Sequence, residues 1–494
     1  MVTAEVAPGH PLRVLAEDRE VTRLGESVFR TGSFSRAALD AASTVLERMA
    51  RTYQKLEVQG VRAVATSATR DASNQEEFLE RASVALGVPV EVISGQEEAR
   101  LIHLGVHARW PHPQQAILII DIGGGSAEII LSEKGHLVTA YSKPVGAVRL
   151  KEVFLKKDPP DPHELHQLEE YIEEKVAPVI RRIRGHRIDR FIGTSATMAA
   201  LASAVNRIGK DKREAADRLR APAVEIRKLY QKLCKRDLAG RRQITGIGPR
   251  RAEVIVPGAA LCLHLLREFQ APAIYYSIAG VRDGVVADLA ARGVGRELAR
   301  LNSDQRQLVE EMARRYAVEV SHVRKVAALA NTLFDSLQPV HQLAPQYGKI
   351  LEAAAYLHDV GHFVSDTRHH KHSLYLVANS DMPGFNERER ELIANLCRYH
   401  RKSPPQPSHP NYQALSEPEQ SALTRLIPLL RLADGLDQSH GQRVQSVECR
   451  VGEDGILLVL RAKGDTDLEQ WAAGRVADLF RSVFQRPLSI YRAS

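Results

Sequence analysis

The sequence predicts an α/β protein of two lobes, followed by an all-helical region and a small α+β terminus. Three observations predict it. Apolar runs rich in β-branched residues alternate with stretches of helical periodicity as far as Arg300. Glycine- and hydroxyl-bearing turns close those runs, and the strand, loop, hydroxyl pattern occurs in two halves, which implies a cleft between lobes. Beyond Arg300 the pattern becomes nearly continuous helix.

The chain has 494 residues, 44% hydrophobic and 26% charged, which suits a globular protein of roughly three or four domains. A net charge of +8 points to an acidic partner such as polyphosphate, a phosphorylated nucleotide, nucleic acid or an anionic membrane; an excess this small also reads simply as an aid to solubility. Cys234, Cys262, Cys397 and Cys449 lack the C-x-x-C spacing of a zinc ribbon and read as core filler in a reducing compartment. No apolar run is long enough to span a bilayer, Val254 to Leu266 being short and broken by Pro257 and Gly258. With no signal-peptide pattern either, the expected location is the cytoplasm.

Met1 to Arg23 carries weak strand signals, and a helix from Ser35 to Leu56 aligns Leu39, Ala42, Val45, Leu46 and Met49 on one face. The strand Val61 to Thr66 ends in Thr66-Ser67-Ala68-Thr69-Arg70. These hydroxyls and the guanidinium suit phosphate oxygens, or equally a Ser/Thr cap on the next helix. A helix over Gln75 to Leu86 and a strand over Val88 to Ile93 follow. Ser94 and Glu97 then form a capping box, which leaves Glu98 in the first helical turn without a local duty. A carboxylate there is placed to orient or deprotonate a water, its charge tolerated by the helix N-terminus. The plain alternative is an ordinary first-turn acid.

The central stretch is Ile117 to Leu131, where one apolar run reaches Asp121, breaks at Gly123-Gly124-Gly125, and resumes after Ser126. Three glycines let backbone N–H groups converge on an anion, and Ser126 adds a hydroxyl. Asp121 and Glu128 flank that anion, and carboxylates beside phosphate oxygens require a hard cation such as Mg²⁺ between them. The loop lacks the Lys of a Walker motif and the helix of a dinucleotide fingerprint. Its alternative reading is a glycine-rich hairpin turn in a buried sheet.

Next come a strand over Val138 to Pro144, a break at Asp158-Pro159-Pro160-Asp161, and a charged helix over His163 to Arg184. Arg190 to Ile192 enters a second small-residue loop, Gly193-Thr194-Ser195-Ala196-Thr197, where Thr194 and Ser195 repeat the hydroxyl pattern, and a helix continues through Ala204. Basic residues dominate Lys210 to Arg251, a solvated face or a weak attractor of polyanions. At Ile274 to Gly284 a strand turns into a helix with Arg282 at the turn, suited to a bidentate phosphate contact.

In the helical region, His322, the adjacent His358-Asp359, and Asp434 fall on separate helices, a spacing that brings imidazoles and carboxylates round one divalent metal. His369, His370, His372 and His400 lie between them. The alternative is a structural helical domain with solvent histidines. Ser403 to Gln420 reads as a surface loop, and Ser446 to Phe484 as strand, strand, helix.

Taken in order, Val21 to Glu26, Ala65 to Arg70, Ile93 to Val106, Asp121 to Glu128, Gly193 to Thr197, Arg250 to Gly258 and Gly280 to Gly284 resemble the motifs of the exopolyphosphatase and guanosine pentaphosphate phosphohydrolase (Ppx/GppA) family. The resemblance implies two ribonuclease-H-like lobes of the actin and sugar-kinase kind over residues 1–112 and 113–298. It further implies an HD-type helical domain over 299–442, a small α+β domain over 443–494, and a homodimer. Glu98 is implied as the catalytic Glu, Asp121 and Glu128 as Mg²⁺-associated acids, Gly123, Gly124, Gly125 and Ser126 as the phosphate loop, and Arg70 and Arg282 as phosphate contacts.

This chain departs from the family in reading Ser-Ala-Glu at Ser126 to Glu128 where Ser-Thr-Glu is usual, and Asp283 where Glu is usual. Relatives begin with a strand and a first phosphate loop similar to Asp-Ile-Gly-Ser-Asn-Ser, whereas this chain starts Met1-Val2-Thr3-Ala4-Glu5-Val6, inside what reads as the second strand. The expectation is a first lobe without a central strand, and a true start upstream. His358-Asp359 stands where long relatives often carry His-Glu, so the metal set is fuller than the resemblance implies. The expected activity is release of terminal orthophosphate from inorganic polyphosphate by metal-assisted attack of water. Alternatives are the same chemistry on guanosine pentaphosphate, hydrolysis by the helical domain with Mg²⁺, Mn²⁺ or another divalent ion, and non-catalytic binding of polyphosphate or guanosine tetraphosphate. No specific nucleic-acid partner is expected.

Overall fold

The structure, a computed structural model, describes residues 1–5, 13–22, 24–291, 299–452 and 455–492; Val6 and Arg23 of the sequence motifs, and the predicted boundary at residue 298, lie outside the described residues. The chain forms two compact units, Met1–Ala291 and Arg292–Ser494.

In the first unit, β1 (Val2–Glu5) pairs antiparallel with β2 (Arg13–Glu17), and β3 (Ala63–Ala65) runs parallel to β4 (Val90–Val92), as two separate two-stranded sheets. The remaining strands are β5 (Ala116–Ile122), β6 (Ala127–Glu133), β7 (His136–Lys143), β8 (Arg190–Thr194), β9 (Arg220–Pro222) and β10 (Ala273–Tyr276). They form one sheet of order β7-β6-β5-β8-β10-β9, in which β5, β6 and β7 are an antiparallel meander and β8 runs parallel to β5.

The unbroken apolar run of β5 is explained by burial on both faces. Leu118, Ile120 and Ile122 pack into a core with Ile172, Val176 and Leu261, while Ile117 and Ile119 pack on the opposite face against Ala99, Ile102 and Val106 of the helix Gly95–Arg109. That helix crosses Val281–Ala291 at glycines. A Cβ on Gly284 would lie 1.7 Å from the Leu101 carbonyl oxygen, and one on Gly105 would lie 2.3 Å from that of Gly280. The Gly280 to Gly284 motif therefore serves close helix packing.

Helix Gln75–Leu86 stands where the sequence places it, and the charged helix runs Pro162–Ile183 with a capping box from Asp161. The box predicted at Ser94 is different. Ser94 Oγ accepts from the Glu97 N–H at 3.1 Å, but the Glu97 carboxylate is engaged by Arg100 and Arg62, which also hold Asp288 in a buried ion network.

In the second unit, helices Val320–Ser336, Gln346–Leu357, Glu387–Tyr399 and Glu417–Gly435 share one core that continues into a three-stranded sheet, β11 (Val444–Val451), β12 (Ile456–Ala462) and β13 (Leu488–Arg492). The single predicted helix ending at Phe484 is two helices, Asp467–Gly474 and Ala477–Phe484. Together they make the crossover that a third strand parallel to β12 requires. The loop predicted over Ser403 to Gln420 contains a short helix, Pro410–Gln413, and the Ser416-capped start of the next. Among the described residues, no helix is long and apolar enough to cross a membrane.

Candidate active site and metal centre

On the sheet face beneath helix Gly95–Arg109, one polar row crosses four strands. Register pairs Ser142 of β7 with Glu128 of β6, Glu128 with Asp121 of β5, and Asp121 with Thr194 of β8. Period-two alternation puts all four on the face of Ala140, Ile130, Ile119 and Ile192. Ser142 Oγ donates to Glu128 Oε1 at 2.7 Å, and the Thr194 hydroxyl donates to Asp121 Oδ2.

Helix Gly95–Arg109 brings Glu98 to the same place. Gly95 makes this possible, because a Cβ there would lie 2.4 Å from Ser142 Cβ. Glu98 is 8% exposed and takes a 3.1 Å ion pair from Arg70, whose other terminal nitrogen donates to the Ile93 carbonyl at 2.6 Å. Burial pushes the Glu98 carboxyl up to about 7, against the opposing pull of Arg70. Burial likewise pushes Asp121 up to about 6 against its bond from Thr194. Glu128 is raised well above the usual range by burial and by the charges of Glu98 and Asp121. Asp121 and Glu128 are cross-strand neighbours that offer only oxygen donors, a chemistry that suits a hard cation such as Mg²⁺, which would offset the repulsion they share with Glu98.

The glycine loop forms the hairpin turn that the sequence allowed. It closes the β5–β6 hairpin, with the Gly123 N–H donating to the Ser126 carbonyl at 3.0 Å. Helix Ala147–Phe154 docks onto it: the amides of Ala147, Val148 and Gly146 donate to the carbonyls of Gly123, Gly124 and Gly125 at 2.9, 2.9 and 3.2 Å. In a trans peptide the N–H points opposite the preceding C=O. The amides of Gly124, Gly125 and Ser126 therefore all face away from that helix, an arrangement suited to an anion. A Cβ on Gly125 would lie 2.3 Å from Phe29 Cζ and 2.5 Å from Ser67 Oγ, so the first strand-end hydroxyl cluster borders the loop.

Two arginines escaped sequence reasoning. Arg149 donates to the Gly125 carbonyl at 2.8 Å and pairs with Asp71, while Arg251 donates to Thr197 Oγ1 at 3.3 Å and its charge favours ionised Asp121. Arg251 lay inside a recognised motif, but nothing in the sequence marked Arg149. Ser195 sits at φ 82° at the start of helix Ser195–Val205, a strained station for a side chain with a Cβ, and its Oγ accepts from the Thr197 N–H at 3.3 Å. The structure does not join Arg282 to this group. It donates to Glu17 at 2.7 Å and to the Met1 carbonyl at 3.4 Å, with no bond to the loop or the three carboxyls among the described residues.

In the second unit, His322, His358, Asp359 and Asp434 do come together. Asp434 Oδ1 lies 3.6 Å from His322 Nε2 and 3.5 Å from His358 Nε2, and Asp359 Oδ2 lies 3.6 Å from His358 Nε2. Both Nε2 atoms are buried without a hydrogen-bond partner. His322 Nδ1 is held at 2.9 Å by Asp437, an outer acceptor that sequence spacing did not single out. Of the histidines between, His369 and His400 join the cluster, as does His362, and His370 and His372 make no ion pair with it among the described residues.

An actin-like α/β core bearing an amide-lined turn beside clustered carboxyls suits a phosphatase. The chain belongs to the Ppx/GppA phosphatase family, whose profile matches residues 2–293, and the profile of Ppx/GppA phosphatase, domain III, matches residues 305–470. It is similar to the solved PPX-GPPA enzyme of Aquifex aeolicus, at 28% identity and a TM-score of 0.51 over 58% of this chain and 94% of that one. It is also similar to an exopolyphosphatase from Cytophaga hutchinsonii, at 26% identity and a TM-score of 0.54 over 58% of this chain and 93% of that one.

Proposed function

We propose that the first unit releases terminal orthophosphate from inorganic polyphosphate, with guanosine pentaphosphate as the alternative substrate of the same site. The observation that carries this reading is Glu98, a buried carboxyl with a pKa raised to about 7 beside Arg70 and the Asp121–Glu128 pair. A base poised near neutrality takes a proton from an attacking water most effectively. The amides of Gly124, Gly125 and Ser126 hold the oxygens of the terminal phosphoryl, with Arg70 beside them, and Thr194 orients Asp121. Mg²⁺ held by Asp121 and Glu128 would offset the phosphate charge. Ser195 adds a hydroxyl at the same strand end, while Arg282 would reach phosphate only by exchanging Glu17 for it. Similarity to an exopolyphosphatase supports the polyphosphate reading. Orthophosphate release measured on both substrates tests it: preference for guanosine pentaphosphate selects the alternative, and full hydrolysis by Glu98→Gln removes Glu98 from its role.

The partnerless Nε2 atoms favour a second site in the helical unit. We infer that His322, His358, Asp359 and Asp434 hold one divalent cation there. Metal analysis of the full chain and of His358→Ala tests this, and equal metal content in the two overturns it.

A further inference from the structure

Asp359 turns its two carboxylate oxygens toward two different sets of donors. Oδ2 lies 3.6 Å from His358 Nε2, whereas Oδ1 lies 3.4 Å from His369 Nε2, 3.5 Å from His400 Nε2 and 3.7 Å from His362 Nε2. His369 Nε2 and His400 Nε2 are themselves 3.2 Å apart. Most of these separations are long for hydrogen bonds. Two of them, 3.2 and 3.4 Å, equal the edges of about 3.0–3.4 Å between donors that share one metal at about 2.1 Å, and the other three, at 3.5, 3.6 and 3.7 Å, lie a little beyond those edges.

Four of the five ring tautomers agree, while the His369 ring faces the Arg401 guanidinium at 3.3 Å. His358 Nδ1 meets the Ala355 carbonyl at 3.0 Å and His400 Nδ1 meets the Cys397 carbonyl at 2.7 Å. A carbonyl oxygen only accepts, so each Nδ1 carries a proton and the neutral ring presents its Nε2 lone pair inward. His322 Nδ1 and His362 Nδ1 are held in the same sense by the carboxylates of Asp437 and Asp366, at 2.9 and 2.7 Å. Outer acceptors of this kind are what orient metal-ligating imidazoles. Lone pairs and carboxylate oxygens that converge in a buried pocket repel one another unless cations stand between them. Above them lies a cavity of about 880 Å³ whose lining includes Arg401, Lys402, Arg431 and Arg475, four cations that call for an anionic occupant.

We propose that the second unit holds two divalent cations bridged by Asp359, one among His322, His358 and Asp434 and the other among His362, His369 and His400, forming a binding site for the phosphoryl group of a phosphate ester. The first cation rests on the reading given under Proposed function; the second cation and the phosphoryl group go beyond it. Paired cations a few ångströms apart are a recurrent clamp for phosphoryl oxygens.

The test uses the full chain carrying Asp121→Asn and Glu128→Gln, so that the first unit's carboxylate pair is not counted. Mn²⁺ is measured by mass spectrometry after dialysis and examined by electron paramagnetic resonance. The expected result is two Mn²⁺ per chain with an exchange-coupled spectrum, falling to one uncoupled ion in His369→Ala and in His400→Ala. His362→Gln, at the exposed edge, gives the same loss of coupling with less demand on the core. Addition of inorganic phosphate perturbs the coupled spectrum. One Mn²⁺ in the parent chain overturns the second cation alone, and none overturns the single-cation reading as well. Two ions undisturbed by all three substitutions overturn the assignment of residues, and a spectrum indifferent to phosphate overturns the phosphoryl site.

Discussion

Thr194 stands at a helix N-cap, yet its hydroxyl caps nothing and is donated to Asp121. Thr66 repeats this placement in the other half: it precedes helix Ser67–Asp71 and makes no capping bond, and its hydroxyl favours the ionised form of Glu98. Both open the same four residues, Thr-Ser-Ala-Thr. An N-cap hydroxyl normally satisfies an orphan amide of its own helix. Here neither hydroxyl does so, and that of Thr194 is turned onto a carboxyl that the proposed reaction uses.

Thr194→Val keeps the shape and removes the donor. Asp121 loses a bond that favours its ionised form, so cation binding weakens. Loss of such a bond costs about 1–3 kcal/mol, and a Mg²⁺ titration of orthophosphate release is expected to show roughly a tenfold higher half-saturating concentration.

Hydrolysis is expected to fall on the acid side of pH 7, because Glu98 acts as a base only when ionised and its carboxyl is raised to about 7. Arg70→Gln removes the cation that opposes this rise and is expected to move the acid limb upward by about one pH unit. A pH–rate profile at saturating substrate reads both.

Without a divalent cation, the three carboxyls couple stability to pH. Their folded values lie above the ordinary 4.5 of Glu98 and Glu128 and 3.8 of Asp121, so the folded state binds more protons than the unfolded one. This contribution is present below those ordinary values and is lost as pH rises through about 6 for Asp121 and about 7 for Glu98. Differential scanning calorimetry with chelator is expected to show Tm falling from pH 5 to pH 8 by a larger amount than in Asp121→Asn with Glu128→Gln. Mg²⁺ is expected to raise Tm more at pH 8 than at pH 5, where protonated carboxyls bind it poorly.

Gly284→Ala forces a Cβ to 1.7 Å from the Leu101 carbonyl oxygen and must separate two packed helices. Overpacking of this severity costs about 3 kcal/mol or more. Gly280→Ala, with nothing within 4 Å of its Cβ, is expected to change the urea midpoint little.

Much of the first unit was legible because its signals are local. Asp121 and Glu128 face one another through a hairpin whose turn lies between them in sequence, so period-two counting alone puts them on one face. Other features depended on partners far along the chain. Arg282 looked free for phosphate, but Glu17, distant in sequence, takes it. Glu97 was expected to complete a local cap, yet Arg62 and Arg100 draw its carboxylate into a buried network with Asp288. The third strand of the last sheet was missed because Leu488–Arg492 is short and exists as a strand only through β12.

By itself the sequence determined most of the order of strands and helices, the glycine turn, and which residue types stand at strand ends, since periodicity and turn chemistry act over a few residues. Only the tertiary structure decided where the side chains point: that the Thr194 cap hydroxyl serves Asp121, that the loop amides face away from their docking helix, and that the imidazoles of His358, His362, His369 and His400 converge on the two oxygens of Asp359. Those relationships are set by packing between segments remote in sequence, and no local period encodes them.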